Sequence, residues 1–188
     1  MQNIVAVAVS SKTVQPFELK IVTDYKPDFL PPVTLVKSEN NRALLYSKED
    51  LVPLAEFVRA GDVSLSLIFT LITGYIRCLS EAQDKMLNTG LVSSDPEKGV
   101  FASKSGSYVS VGADTKVKAI WGTDSVSNER EKICRIAELL ARLERVMGAR
   151  TAMERMIDII RSGNLSLKNC LVAAERVCRE WNRIGDPI

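Results

Sequence analysis

Arginine crowds the last third of this sequence, and its charge and spacing are the clearest means of binding that the chain offers. From position 126 to position 188 there are twelve basic side chains, ten of them arginine, against nine acidic ones. Arg150, Arg155, Arg161, Arg176, Arg179 and Arg183 could form a basic face that meets phosphate or an acidic partner. Glu138, Glu144, Glu154, Asp158, Glu175 and Glu180 are interleaved with them, at spacings that allow i,i+4 pairing along helices. That alternation favours a solvated, self-neutralised surface, because nucleic-acid binders concentrate one sign of charge. Only Trp181 lies near these arginines, so stacking on bases has little support. The net charge of +2 points the same way: no nucleic-acid partner is expected.

The remaining reactive residues exclude more than they suggest. There is no histidine, so neither a Ser-His-Asp nor a Cys-His site can form, and the commonest zinc ligand is missing. Cys78, Cys134, Cys170 and Cys178 are widely spaced and contain no C-x-x-C, unlike any zinc finger or ribbon. Three of them fall within helical apolar patterns, which predicts buried, unbridged thiols in a reducing compartment. Composition leaves a Ser-Lys or carboxylate-dyad enzyme open, but no spacing points to one. Neither a metal nor a cofactor is expected. Asp95, directly before Pro96, reads as a turn initiator, and Glu97 as a solvent-facing residue.

The elements that carry these residues change character near position 60. Hydrophobic residues make up 46% of 188 positions, enough for the core of one ordinary domain or of a small lobe joined to a larger one. Before position 60 the chain is extended and punctuated by proline. Residues 3–9 read as a strand, and so do 17–23, where Phe17, Leu19 and Ile21 alternate with Glu18 and Lys20. Pro27, Pro31 and Pro32 exclude a regular helix over 25–33. Two further strands, 34–37 and 43–46, flank the turn Ser38-Glu39-Asn40-Asn41. Ser47 with Asp50 resembles a capping box that opens a short helix ending before Gly61.

Helices dominate from Asp62 onward. Leu67, Ile68, Leu71, Ile72, Tyr75 and Leu79 recur at three- and four-residue steps on one long helix over 64–89, with Met86 and Leu87 extending the stripe. Gly90 and Ser93-Ser94-Asp95-Pro96 end it. Two short strands, 99–102 and 108–111, flank a turn at 103–107. Asn128 with Glu131 reads as the cap of the next helix, whose buried face would carry Ile133, Ile136, Ala137, Leu140, Leu143 and Met147 before Gly148 breaks it. Helices over 151–161 and 166–183 complete the pattern, with Leu171, Ala174, Cys178 and Trp181 facing inward on the last. No export signal is expected, since the apolar start lacks basic residues. The apolar run at 63–76 is broken by Ser64, Ser66, Thr70, Thr73 and Gly74, so a soluble, cytoplasmic chain with no membrane span is expected.

Four stretches resemble parts of a degenerate protein-kinase-like fold: Phe17-Glu18-Leu19-Lys20, Phe29-Leu30-Pro31-Pro32, Leu44-Leu45-Tyr46-Ser47 and Asp95-Pro96-Glu97-Lys98-Gly99-Val100-Phe101. The last is similar to the kinase catalytic loop, in which D-x-K-P-E-N runs into a strand. More narrowly, the chain resembles the kinase-like domains of the EssB component of type VII secretion. It also resembles bacterial domains found ahead of forkhead-associated (phosphothreonine-binding) domains. The resemblance covers roughly residues 15 to 180. It implies an α+β fold of the protein-kinase-like class, with a small mixed N-terminal lobe of strands (1–60) packed on a helical C-terminal lobe (61–188). The hairpin at 99–111 belongs to the second lobe. Proteins of the EssB type carry a membrane helix after this domain, and here the sequence departs from them.

Set against these residues, kinase chemistry is missing its parts. A glycine-rich loop lets backbone amides approach phosphates, yet no glycine precedes Gly61. Val92-Ser93-Ser94-Asp95 stands where His-Arg-Asp would open the catalytic loop. Lys98 or Gly99 stands near the metal-binding Asn. Asp114, in Gly112-Ala113-Asp114, is the candidate for the metal-binding Asp, without the Phe and Gly that should follow it. Only about a dozen residues separate it from Asn128, too few for an activation segment. Lys20 and Lys37 are the candidate strand lysines for ATP phosphates, although an exposed strand usually keeps lysine in solvent. The resemblance therefore implies a non-enzymatic pseudokinase-like module that binds or scaffolds proteins in a bacterial signalling or secretion assembly. Arg150, Arg155, Arg176, Arg179 and Arg183 are its candidate partner-binding residues. The alternative is a nucleotide- or nucleic-acid-binding regulator that uses the same arginine-rich helices.

Overall fold

The computed structural model describes residues 4–10, 33–37, 41–47, 50–60, 62–84, 89, 92–112 and 126–185. Their architecture is α+β, with helices and two small antiparallel sheets. The first sheet contains β1 (Ile4–Ser10), β2 (Val33–Lys37) and β3 (Asn41–Ser47). Valine, isoleucine and leucine dominate β1 and β2, which suits the extended backbone. β3 lies between the other two and is antiparallel to both, so that Leu44 stands opposite Val7 on one side and Leu35 on the other. The strand expected at 17–23 and the proline-bearing stretch 25–32 lie outside the described residues.

The helix expected to open on Ser47 and Asp50 begins later. Leu51–Pro53 forms a strand, β4, and α1 occupies Leu54–Ala60. Pro53 is the physical reason. It lacks an N–H and its ring clashes with a preceding helical turn, so a helix started at Asp50 would have to break there. At the end of an edge strand, just ahead of a helix, the same proline is tolerated. β4 pairs antiparallel with β5 (Val100–Ser103), and β5 pairs with β6 (Val109–Val111) in a hairpin. Gly106 turns the hairpin with φ of 71°, a left-handed conformation that glycine adopts without a Cβ penalty.

α2 (Leu65–Asp84) is the centre of the core. Ser64 caps it, its Oγ accepting the Leu67 N–H at 3.1 Å. Ten of its side chains are buried, among them Ile68, Leu71, Ile72, Tyr75, Ile76 and Leu79. Each large one contributes roughly 1.5–3 kcal/mol on leaving water. The helix is longer than its apolar run at 63–76 suggests, and by length and composition it could cross a membrane. More than half of that window is buried inside the protein, however, which is how the core helix of a globular fold behaves. The hairpin packs on it at Gly74, where an added Cβ would lie 3.1 Å from Val109 Cγ2.

Two of the three further helices pack on α2, and the third packs on those two. α3 (Val126–Ala141) starts before its expected cap, with Asn128 already inside the helix. Glu131, the other half of that capping box, instead pairs with Arg161 at 3.3 Å. Ile133, Ile136, Ala137 and Leu140 are buried as the spacing predicts, together with Cys134. The stripe stops there. After Ala141 the chain turns, Arg142 N–H bonding to Leu139 O and Leu143 N–H to Leu140 O, so Leu143 is half-buried and Met147 is 93% exposed. Gly148 does not end α3. It caps the N-terminus of α4 (Ala149–Ser162) at φ 82°, and a Cβ there would meet Trp181 Nε1 at 3.0 Å. Ser166 caps α5 (Leu167–Gly185) through Asn169 N–H at 3.3 Å. On α5 the buried residues are Leu167, Cys170, Ala174 and Val177; Leu171, Cys178 and Trp181 are half-buried at its margin.

Candidate functional site

Between the end of α2 and the start of β5 lies the segment that the sequence singled out, and it is tied down from several sides. Asp95 organises the turn. Its Oδ1 accepts the Glu97 and Lys98 N–H groups at 2.9 and 3.3 Å. Its carbonyl accepts those of Gly99 and Val100, both at 2.8 Å. Ser93 Oγ accepts the Asp95 N–H at 3.1 Å. Two neighbouring elements hold the turn in place: α1, whose Ala55 N–H donates to Pro96 O at 3.0 Å, and the hairpin, whose Gly112 O accepts the Ser93 N–H at 3.0 Å. Glu97 is exposed and forms an ion pair with Arg59.

Beneath that turn sits a buried polar cluster. Tyr75, fully buried on α2, donates its hydroxyl to Ser93 O at 3.0 Å. From α3, Lys132 donates its ammonium to Thr89 O at 2.9 Å and Val92 O at 2.7 Å, although only 7% of the residue is exposed. Glu129, one turn earlier, accepts the Thr89 hydroxyl on Oε1 at 2.5 Å, and its Oε2 is buried with no partner. Arg135 donates to Ser94 Oγ at 3.0 Å, while Arg130 donates to Gly163 O and leaves its Nε unpaired. A buried ammonium over two carbonyls is a clamp: the charge strengthens each hydrogen bond and the carbonyls replace its water.

Of the nucleotide-site candidates, only Asp95 has a described side chain, and it closes its own turn. Lys37 is the last residue of β2, paired in register with Arg42; its side chain, Lys20 and Asp114 lie outside the described residues. Among the described residues no group of His, Cys, Asp or Glu side chains could hold a metal ion.

Four of the five partner-binding candidates are engaged within the protein, two of them with carboxylates of their own helices. Arg150 meets Glu154 at 2.9 Å and Arg176 meets Glu180 at 3.0 Å, both as i,i+4 pairs. Arg155 crosses from α4 to Glu180 at 2.8 Å and lies over the Trp181 ring, 5.8 Å from its centroid. Arg179 donates to Glu175 O at 3.3 Å, and Arg161 bridges Glu131 and Glu138. Arg183 lies in α5, its side chain outside the described residues. The cysteines are unbridged. Burial first, and the Glu81 carboxylate second, push the Cys78 thiol up to about 12, while burial pushes Cys134 up to about 11. Such thiols stay protonated and unreactive.

Lys132 and Glu129 escaped the sequence reading, although a signal for them exists. Positions 129, 132, 133, 136, 137 and 140 form one helical stripe, and two charged residues inside an apolar stripe must be paired or hydrogen-bonded. The chain matches no protein-family model, and no curated protein matches it in sequence.

Proposed function

We propose that this protein is a catalytically inactive, kinase-like module that binds other proteins in a bacterial signalling or secretion assembly. The observation that carries the proposal is the state of the segment between α2 and the hairpin. A phosphoryl-transfer enzyme uses that position to aim a carboxylate at its nucleophile and its metal. Here Asp95 Oδ1 is engaged by two amides of its own turn, and the adjacent Glu97 by Arg59. The buried face of the segment is held by Lys132 through main-chain carbonyls. A segment fixed in this way suits a scaffold. The kinase-like reading is further supported by the order of elements: a three-stranded antiparallel sheet, a short helix, a long core helix and then the hairpin.

Titration with ATP, with and without magnesium, read by calorimetry and thermal shift alongside a phosphotransfer assay, tests the proposal. The expected result is no transfer of phosphate to any protein substrate or to the chain itself. Saturable binding without turnover would make the module a nucleotide-sensing pseudokinase. Magnesium-dependent binding with turnover would overturn the inactive reading.

A further inference from the structure

Nine of the eleven arginines with described side chains donate to a partner within the protein, whether a carboxylate, a hydroxyl or a main-chain carbonyl. The two exceptions are Arg142 and Arg145. Both lie in the short loop between α3 and α4, and both are exposed. The same loop carries Met147, 93% exposed and the most exposed large hydrophobic residue among those described. Glu144, exposed between them in sequence, offsets one of the two charges and leaves the loop with a net charge of +1.

The loop is built rather than loose. Leu143 and Val146 pack against the core, and the backbone is closed by Glu144 N–H to Arg142 O at 2.9 Å, Val146 N–H to Leu143 O at 3.0 Å and Ala149 N–H to Val146 O at 3.1 Å. Gly148, in its left-handed conformation against Trp181, fixes the far end. Two guanidinium forks and one thioether therefore project from a fixed base. Arginine and methionine are enriched at protein interfaces, where methionine fills irregular apolar sockets and arginine meets carboxylates bidentately. A preorganised loop also loses little entropy on docking.

We propose that the loop between α3 and α4 docks a protein partner that seats Met147 in an apolar socket and meets Arg142 and Arg145 with carboxylates. This deepens the protein-binding reading above and rests on it. The occupant is set by charge complementarity: the loop presents two unpaired guanidinium groups against the single carboxylate of Glu144, and an apolar knob stands beside them.

The probe is a displayed library of random peptides of about twelve residues, selected on the full chain. Enriched peptides are then measured by fluorescence anisotropy against wild type, Met147→Ser, Arg145→Glu and the combined Arg142→Glu/Arg145→Glu/Met147→Ser variant. Enriched peptides are expected to place Asp or Glu beside a large apolar residue. Each single variant should weaken their binding about tenfold, with the melting temperature unchanged because all three positions face solvent. Peptides that bind the combined variant as tightly as wild type would sink the loop as the docking surface and leave the protein-binding reading standing. Loss of both would follow if no peptide were enriched while phosphatidylglycerol vesicles or single-stranded DNA bound wild type and not the combined variant.

Discussion

Replacing Lys132 with methionine keeps the volume of the side chain and removes its charge. In the native chain the ammonium donates to Thr89 O at 2.9 Å and Val92 O at 2.7 Å in a site where the residue is 7% exposed. A hydrogen bond to a charged group contributes about 1.5–3 kcal/mol, so losing two removes about 3–6 kcal/mol. Methionine no longer needs its charge taken out of water, which offsets part of that loss. The net cost expected is about 3 kcal/mol, or a drop in melting temperature of roughly 6–12 °C for a domain of this length. Urea unfolding gives the first number and a thermal scan the second. Hydrogen exchange adds the location: amides at 92–100 should lose protection more than those of α4. A loss below about 1 kcal/mol, with exchange at 92–100 unchanged, would mean that water takes the place of the ammonium and would refute the clamp.

Gly99→Ala should destabilise by about 2 kcal/mol, because the new Cβ would fall 2.0 Å from Ser93 Oγ and 2.5 Å from its Cβ. Ser93→Gly in the same chain should recover part of that loss in a urea-melt cycle; strict additivity would count against the clash. The thiols set an alkaline limit. In the unfolded chain they ionise near 9, whereas the folded protein holds Cys78 protonated to about 12 and Cys134 to about 11. The folded state thus binds more protons between those values, and stability falls as pH rises. The loss should be roughly 1 kcal/mol per thiol between pH 8 and 10, absent below pH 8 and reduced in Cys78→Ala. Chevron or equilibrium melts at pH 8 and pH 10 measure it, and a flat profile would contradict it. Arg161→Gln should cost less than about 1 kcal/mol and lose its effect in high salt, since Arg161, Glu131 and Glu138 are all more than a third exposed.

Periodicity made the helical half of the molecule legible. The three- and four-residue steps from Ile68 to Leu79 place α2, and Gly106 with its serine neighbours places the hairpin turn. Three things were hidden. β4 is three residues long and ends in proline, so no alternation could mark it, and its strand character comes only from its pairing with β5. The end of α3 depends on local turns after Leu139 rather than on a glycine, which is why Met147 leaves the apolar face that its spacing assigns to it. The clamp was invisible for a different reason: lysine and glutamate read as solvent-facing until the carbonyls and hydroxyl that satisfy them are known. At the candidate site, the turn role of Asp95 could be read from Asp-Pro, whereas its stitching to α1 and Gly112 needed the third dimension.

The pairing of Leu51–Pro53 with Phe101–Ser103 joins parts of the chain about fifty residues apart, and Ala55 N–H likewise reaches Pro96 O. During synthesis at roughly 5–20 residues per second, β4 and α1 therefore leave the ribosome about 3–10 s before the strand that completes their sheet. Through that interval the edge of β4 is unpaired and the turn that anchors α1 does not yet exist. No fragment that stops after α2 can hold α1 in its native place. The shortest piece of the chain that contains both of these partners runs on to Ser103.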